Sequence, residues 1–385
     1  MGLIRVLAHL AVNSTRVLIV EAPGHWLTRV ELEQQMALRG WRAAWTPANA
    51  DVLAVCGVPG PELAELAERL WEQMPGPRAR VDVASPAVVG SALEDAATLL
   101  LDTPYHRADA GERAQEPRIP EDHGQMGHEG MDHGGHEGMD HGGHEGMDHG
   151  GHGGHGGMDM APAGIALAQG GQDRDGLEMD VLHLPLGPVL PFWPAGLVLL
   201  CSLQGDVVVD AVASVVDGAG QAASSKEPQN PPVPASVVRC DGVMALLALA
   251  GADDAAARAR RARDALVRGD QGAARDAVER LHRTVRRSWL LRWSLRGVLV
   301  LDQFDLARHD LPEVCRGDAH DRLSSTVERL RSEVCGAAPV PEETGAVPWE
   351  TMSHLVTGLE LATVRLAVAS LNLEPVSTVQ GVGNA

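Results

Sequence analysis

The stretch Ala50–Arg78, ADVLAVCGVPGPELAELAERLWEQMPGPR, decides the fold of the first half of the chain. It opens with an apolar run, Asp51–Cys56, which predicts a short buried β-strand that the following Gly-Val-Pro-Gly ends. Glu62–Gln73 then carries its leucines and Trp71 on one helical face and its glutamates on another, as an amphipathic helix does. A buried strand followed by such a helix predicts one unit of a parallel sheet.

The same alternation of strand and helix extends to both sides of this unit. We predict further strands at Arg16–Glu21 and Arg80–Ala84, and further helices at Leu27–Leu38 and Ala92–Leu101. Because parallel strands are joined by right-handed crossover helices, this order predicts a small three-layer α/β domain with a flavodoxin-like sheet over residues 1–104. The loops after the strands lack the GxGxxG and GK[ST] patterns, so we expect no NAD or other nucleotide.

The second half, residues 178–385, carries a different pattern. Gly196–Leu203 and Val207–Val215 flank Gln204-Gly205-Asp206 and predict a β-hairpin. The spacing of apolar residues then becomes helical, which predicts an α+β or mainly α domain made of a hairpin and a helical bundle. The predicted helices are Ala235–Ala250, Ala252–Arg268, Gln271–Gly297, Asp318–Cys335 and Pro348–Leu373.

A histidine-rich tract separates the two halves. Residues 105–177 show no core-forming pattern, so we expect a disordered linker between the domains. Within it, residues 121–160 contain three copies of the octad His-Glu-Gly-Met-Asp-His-Gly-Gly and no lysine or arginine. The candidate metal ligands are His123, His128, His133, His136, His141, His144, His149, His152, His155, Met131, Met139, Met147, Asp132, Asp140 and Asp148.

Imidazole, carboxylate and thioether groups at this density predict binding of nickel, copper or zinc. The histidines recur at alternating spacings of five and three residues on a glycine-rich chain, which favours capacity over one fixed geometry. The tract resembles those of nickel-handling maturation proteins, and its Met-Asp-His units resemble copper-resistance proteins. Two interpretations stay open: specific metal handling, and an acidic linker that binds metals incidentally. We expect no tightly bound cofactor.

The charge and the apolar runs limit the partners and the location. The chain has 52 acidic and 32 basic residues and a net charge of −20, which argues against nucleic acid or an anionic membrane as a partner. The longest apolar run after the N-terminus, Val189–Leu203, contains two prolines and is too short to span a bilayer. The first 20 residues do not form a signal peptide pattern. We expect a cytoplasmic protein without a transmembrane segment, at most peripheral to the inner face of the cell membrane.

The stretch Ala50–Arg78 resembles a family of redox proteins. Asp51–Gly57 is similar to the "DVLLVTG" strand, and Trp71–Arg78 to the "YEQMPEPR" segment, of the B subunit of NADH-quinone oxidoreductase and the related small subunit of nickel–iron hydrogenases. The order of elements from Arg16 to Pro104 also agrees with that family. The resemblance implies a flavodoxin-like domain that belongs to a respiratory or hydrogenase assembly.

The chain departs from this family at the positions that hold its iron–sulfur cluster. The loop after the first strand, residues 22–26, reads APGHW, and the loop after the third begins Ser85-Pro86, without the family's cysteines. The five cysteines of the chain are scattered, and none forms a CxxC pair. We therefore expect no iron–sulfur cluster, and interpret Cys56 as a small buried hydrophobic residue.

The second half shows a weaker resemblance, to the D subunit of the same enzyme and to the hydrogenase large subunit. The Leu-Gly-Pro at residues 186–188, the hairpin and Gly205–Asp210 (GDVVVD) are similar to the opening hairpin of that family, over roughly residues 178–300. Arg239-Cys240 is similar to the start of the hydrogenase RxCGxC motif, but the next ligand position is Val243, and the C-terminal DPCxxCxxH is missing. We expect no nickel–iron centre.

The remaining polar clusters have ordinary structural interpretations. Arginines recur at Ala256–Arg263 and Arg283–Arg287, which we interpret as solvated faces or as sites of ion pairs between subunits. Trp289 and Trp293, four residues apart beside the second group, could form a docking surface, although burial against the bundle core is the interpretation we favour. The histidines outside the repeat show no HExxH or HxxxH pairing, and we place each at the surface or in the core.

Together these features predict a non-catalytic accessory or structural subunit of a complex I-like or nickel–iron hydrogenase-like assembly, with a metal-binding linker. Its partners would be the other subunits of that complex. The alternative is a nickel or copper metallochaperone, or a metal store, for a redox enzyme. A third interpretation, an enzyme with an unfamiliar site in the first sheet, has no carboxylate or histidine constellation to support it.

Overall fold

The computed structural model describes five stretches of the chain: residues 11–115, 169–172, 178–217, 233–336 and 347–373. The histidine-rich repeat and all of its candidate metal ligands lie outside the described residues. For residues 116–168 and 173–177 the prediction of a disordered linker, and with it that of metal binding by the repeat, therefore stays a prediction.

The first half forms an α/β unit around a four-stranded parallel sheet. In chain order its elements are β1 (Arg16–Glu21), α1 (Trp26–Arg39), β2 (Arg42–Ala43), β3 (Val52–Cys56), α2 (Pro61–Gln73), β4 (Ala79–Val83), α3 (Val89–Leu100) and α4 (Thr103–Gln115). The strands lie in the order β2-β1-β3-β4. The predicted parallel sheet is confirmed, and the two-residue strand β2 adds one edge to it.

Helices cover both faces of this sheet, because β3, one of its two central strands, is apolar on both sides. All five residues of β3 are buried. Val52 belongs to one core cluster with Leu32 of α1 and Leu93 of α3. The next residue, Leu53, belongs to a second cluster with Leu63 of α2, because successive side chains of a strand point to opposite faces.

Helix α4 lies where the sequence shows no core-forming pattern. A buried ion pair holds it on the domain: Nη2 of Arg78 is 2.9 Å from Oδ1 of Asp109. Asp109 also pairs with Arg113 one turn later, at 3.0 Å. The helix depends on these charges and not on a hydrophobic stripe, so the expectation of no structure between residues 105 and 115 is wrong.

The second half combines an antiparallel sheet with helices. Its elements are β5 (Gln169–Gln172), β6 (Glu178–Leu186), β7 (Leu197–Gln204), β8 (Val207–Val215), α5 (Ala235–Leu249), α6 (Asp253–Val267), α7 (Gln271–Arg287), α8 (Trp289–Leu295), α9 (Gln303–Arg308), α10 (Ala319–Cys335), α11 (Met352–Leu355) and α12 (Leu361–Ser370). The strands lie in the order β5-β6-β7-β8. The predicted hairpin is confirmed as β7 and β8, and the helical C-terminal region is confirmed with it.

Two predicted helices are broken in the structure. Gln271–Gly297 divides at Ser288, whose hydroxyl accepts a hydrogen bond from the Leu291 amide at 3.2 Å and so begins a new helix. Pro348–Leu373 is reduced to the short α11 and to α12. Among the described residues, no helix is long and apolar enough to cross a membrane.

Candidate functional site

The two halves meet at the edge of the first sheet where β1 and β3 end. In parallel α/β sheets ligands bind at this carboxyl edge, because the loops and helix starts that follow the strands converge there. Asp217, just after β8, accepts hydrogen bonds from the amides of Glu62 and Leu63 at the start of α2, both at 3.2 Å. A residue of the second half thus caps a helix of the first.

Arg29 of α1 lies at the centre of an ion-pair network across this junction. Its Nε is 2.5 Å from Oε2 of Glu21, the last residue of β1, and its Nη1 is 2.7 Å from Oε1 of Glu33. Its Nη2 is 2.6 Å from Oδ2 of Asp241, which belongs to α5 in the other half. Each nitrogen of this guanidinium group therefore donates to a carboxylate.

Arg263 of α6 makes the reciprocal link from the second half. Its Nη1 is 2.7 Å from Oε2 of Glu33 and 2.6 Å from Oδ1 of Asp241. The side chain of Arg263 is 0% exposed. Glu33 and Asp241 are thus each shared by one arginine from each half, which joins α1 to α5 and α6.

Trp26, the first residue of α1, adds a neutral donor and apolar packing. Its Nε1 donates to Oδ2 of Asp241 at 2.8 Å. Its ring forms a small buried cluster with Val30 of α1 and Val237 of α5. Water is therefore kept from one side of the ion pairs, which strengthens the attraction between the charges.

The network shifts the acidity of its carboxyl groups in two directions. Burial by itself raises the pKa of Asp241 and of Glu33, but the positive charges of Arg29 and Arg263 outweigh it and hold both pKa values below their ordinary range. At Glu21 burial prevails over the charge of Arg29 and raises the pKa. Asp241 and Glu33 are therefore firmly ionised, whereas Glu21 holds a proton more readily than an ordinary glutamate.

A cavity of about 180 Å³ lies beside the network. Glu21, Arg29 and Asp241 form part of its polar wall. Its apolar wall comes from both halves and includes Trp45 and Phe192, whose rings meet edge to face with centroids 5.8 Å apart. Ligand pockets usually exceed about 300 Å³, so this space suits a small molecule at most and not a large cofactor.

The residues at this edge do not fit an iron–sulfur cluster. The loop after β1, residues 22–26, and Ser85 after β4 supply no thiol. Cys56, at the end of β3, is buried in the sheet core, and burial raises the pKa of its thiol. An iron–sulfur cube is held by thiolates, so the chain offers it no ligand set at this edge of the sheet.

The four cysteines of the second half fit a nickel–iron centre no better. Cys201, Cys240 and Cys315 are buried, and Cys335 is half-buried. Burial raises the pKa of Cys240 to about 12, so this thiol stays protonated at neutral pH. These cysteines lie on β7, on α5, before α10 and at the end of α10, which are separate elements.

One group of potential metal ligands occurs elsewhere in the described part of the chain: Asp318, His320 and Asp321 at the start of α10. Both carboxylates have a structural role there. Asp318 accepts a hydrogen bond from the Asp321 amide at 3.0 Å, and Asp321 accepts one from the Asp318 amide at 3.2 Å. This reciprocal cap accounts for the two aspartates without a metal.

Trp289 and Trp293 of α8 are 76% and 74% exposed, so the expectation that both are buried against the bundle core is wrong. A helix of seven residues can bury only one narrow face, and Leu291 and Leu295 occupy it. Arg263, in the first of the two arginine groups, does not lie on a solvated face. It is buried at the junction, where it pairs with Glu33 of the other half.

The junction network is absent from the sequence-based predictions, although two residue patterns point to it. Asp241 lies in a largely apolar helix, ASVVRCDGVMALLAL, and a carboxylate in such a position needs a partner. Arg29 and Glu33 stand four residues apart, as ion pairs on helices do. Neither pattern shows that the partner of Asp241 comes from the other half.

Comparison of the chain with protein-family profiles, with curated proteins and with solved structures gave no match.

Proposed function

We propose that this protein is a non-catalytic accessory or structural subunit of a complex I-like or nickel–iron hydrogenase-like assembly. The observation that carries the proposal is the junction network. Next to the loop where the redox family holds its cluster, this chain buries Asp241 in contact with both Arg29 and Arg263. Removing one partner of such a buried pair costs about 3–5 kcal/mol, so the network favours a fixed joint over a reaction centre.

Two further features support this proposal. The strand order β2-β1-β3-β4 corresponds to the first four strands of the flavodoxin order, which the resemblance to the small subunit implies. The hairpin and helices that follow occur in the order that the resemblance to the large subunit implies. We expect a cytoplasmic protein whose rigid joint holds its two domains in one orientation for partner subunits.

The test is affinity purification of the tagged full-length chain from cells that produce it, with the untagged strain as control. We expect respiratory or hydrogenase subunits to co-purify in a fixed ratio. We also expect the isolated chain to show neither iron–sulfur absorbance nor quinone reductase or hydrogenase turnover. Redox turnover by the isolated chain, or purification of the chain without such subunits, would contradict the proposal.

The metallochaperone or metal-store alternative is favoured by the histidine-rich tract. Deletion of Asp122–Met160 separates the two functions. A structural subunit should keep its partner subunits after the deletion, because the junction and both domains are intact. Loss of a metal donor should instead leave the partner enzyme poor in nickel or copper, which elemental analysis of the purified partner would measure.

A further inference from the structure

The segment Arg280–Arg296 concentrates positive charge in an acidic chain. It contains six arginines and no aspartate or glutamate, in a protein of net charge −20. It forms the end of α7 and the whole of α8. We name six of its exposed residues the arginine–tryptophan face: Arg286, Arg287, Trp289, Leu290, Arg292 and Trp293.

The arginines of this face have no carboxylate partner among the residues that the structure describes. By contrast, Arg29, Arg78 and Arg263 each pair with at least one carboxylate within 3 Å. The basic residues of the face lie at the last turns of α7 and α8, where a positive charge offsets the helix dipole. That placement leaves their guanidinium groups open to a partner from outside.

All three arginines of the face line one cleft. Arg286, Arg287 and Arg292 line a cleft of about 760 Å³ together with Trp289, between the end of α7, α8 and α10. Its other lining groups that can donate hydrogen bonds are His282, Ser288, His320, Ser324, Ser325 and Arg331. Guanidinium and hydroxyl donors in this number fit the oxygens of phosphate groups.

The carboxylate that lines the cleft does not neutralise the three arginines. Glu328 is 2.7 Å from Nε2 of His282 and 3.4 Å from Nη1 of Arg331. Arg331 is also paired with Glu279 at 2.8 Å. Glu328 therefore does not pair with Arg286, Arg287 or Arg292, and the positive charges of these three arginines are not balanced by a carboxylate in the cleft.

The same face exposes large apolar side chains. Trp289, Trp293 and Leu290 are 76%, 74% and 56% exposed, and the two tryptophans lie one turn apart on α8. Indole rings favour the boundary between lipid headgroups and acyl chains, where their apolar body is covered and their N–H stays near water. A phosphate ligand alone would explain the arginines but would leave the tryptophans uncovered.

We propose that the arginine–tryptophan face binds the surface of an anionic phospholipid membrane. The guanidinium groups contact lipid phosphates, and Trp289 and Trp293 enter the headgroup region. The net charge of −20 argues against such a surface only at long range, because salt screens charges beyond about 8 Å at physiological ionic strength. Nine of the acidic residues lie in the tract 121–160, outside this face. The positive charge of the arginine–tryptophan face, and not the net charge of the chain, therefore governs its contact with the membrane surface.

The test is co-sedimentation of the full-length protein with vesicles. One set contains phosphatidylcholine alone, and the other an equal mixture of phosphatidylcholine and phosphatidylglycerol. We expect binding to the anionic vesicles only, with a partition coefficient that falls as salt rises. The triple variant R286E/R287E/R292E should lower it about a hundredfold or more, since each basic residue near the surface contributes about 1 kcal/mol.

The tryptophans are tested separately from the charges. We expect W289S/W293S to lower the partition coefficient about tenfold and to remove the blue shift of tryptophan fluorescence that accompanies binding. Matched controls change exposed residues elsewhere: R42E/R261E for the charges and L38S, which replaces an 80% exposed leucine, for the apolar area. Circular dichroism checks the fold, and R286Q/R287Q/R292Q, which adds no negative charge, serves as a second variant.

Four results would overturn the inference. They are absence of binding to anionic vesicles, equal binding to both vesicle sets, equal losses in the control variants, and displacement by inorganic phosphate beyond the effect of sodium chloride at the same ionic strength. Binding of an acidic protein to this face without vesicle binding would assign the face to a protein partner instead. Vesicles contain no protein, so loss of this inference leaves the proposed function standing if the partner subunits still co-purify.

Discussion

The junction and the arginine–tryptophan face use the same two residue types in opposite environments. Trp26 and Arg263 of the junction are 7% and 0% exposed, whereas Trp289 of the face is 76% exposed. A buried guanidinium group must find carboxylates within the fold, because an unpaired buried charge is strongly destabilising. An exposed one keeps its charge for an outside partner. The environment of a side chain, and not its residue type, therefore separates a structural joint from a contact surface.

The largest expected effect is on the junction. Asp241→Ala leaves Arg29 and Arg263 buried with one carboxylate fewer between them. We expect the free energy of unfolding to fall by about 3–5 kcal/mol. Urea titration followed by circular dichroism measures it. The control is Asp210→Ala on the exposed side of β8, which should change stability by no more than about 0.5 kcal/mol.

If Asp241→Ala lowers the free energy of unfolding by less than about 1 kcal/mol, the junction and the arginine–tryptophan face do not differ in the way described. It would mean that water reaches the junction and solvates the two arginines, as it already does on α8. The network would then hold the halves together no better than an exposed ion pair does.

The acid dependence of stability should differ between wild type and a junction variant. The pKa of Asp241 in the folded state lies below its ordinary value of 3.8, because Arg29 and Arg263 outweigh the effect of burial. Its contribution to stability is therefore complete above pH 3.8 and is lost as the pH falls through the folded-state pKa. We expect the unfolding free energy of Asp241→Asn to fall less steeply below pH 3.8 than that of wild type.

Urea midpoints measured at a series of pH values from neutral downward check this expectation. Asp210→Asn should follow the wild-type curve. Parallel acid curves for wild type and Asp241→Asn would show that Asp241 has no special stabilisation in the folded state.

A smaller effect is expected from matched changes of tryptophan. Trp26→Phe removes the hydrogen bond from Nε1 to Asp241 while keeping most of the ring in its cluster, so we expect a loss of about 1–3 kcal/mol. Trp289→Phe should change the stability by no more than about 0.5 kcal/mol, because its ring is exposed. Thermal and urea unfolding of the two variants measure the difference. Equal losses would contradict the distinction between them.

The smallest effect is expected on the face itself. Arg286→Gln with Arg287→Gln removes two exposed charges that pair with no carboxylate in the described part of the chain. We expect the free energy of unfolding to change by no more than about 0.5 kcal/mol, even though vesicle binding falls. A destabilisation above 1 kcal/mol in urea titration would place these arginines in the structural framework and not on a contact surface.

Much of the fold could be predicted from local pattern. The predicted strand Asp51–Cys56 and the predicted helix Glu62–Gln73 agree with the observed elements to within a residue. An apolar run and a helical spacing of apolar residues can both be recognised from residues close together in the sequence. Helix α4 could not be predicted in this way. It is held by the pair of Arg78 and Asp109, which lie 31 positions apart.

The candidate site could be predicted far less well. The sequence shows that residues 22–26 contain no cysteine, but not that Arg29 and Asp241 meet beside this loop. Arg29 and Asp241 are 212 positions apart, and no periodicity connects them. The predicted burial of Trp289 and Trp293 failed because helical spacing shows that two residues share a face, but not which face of a short helix turns inward.

The sequence by itself determined the parallel α/β sheet, the hairpin and most of the helices, because strand, helix and turn propensities depend on neighbouring residues. It also shows that the five cysteines form no CxxC pair and that none lies in residues 22–26. That Asp241 pairs with both Arg29 and Arg263, and that the two tryptophans of α8 are exposed to solvent, is visible only in the tertiary structure. Ion pairs between distant segments, and the direction in which a short helix faces, depend on proximity in space that the order of residues does not contain.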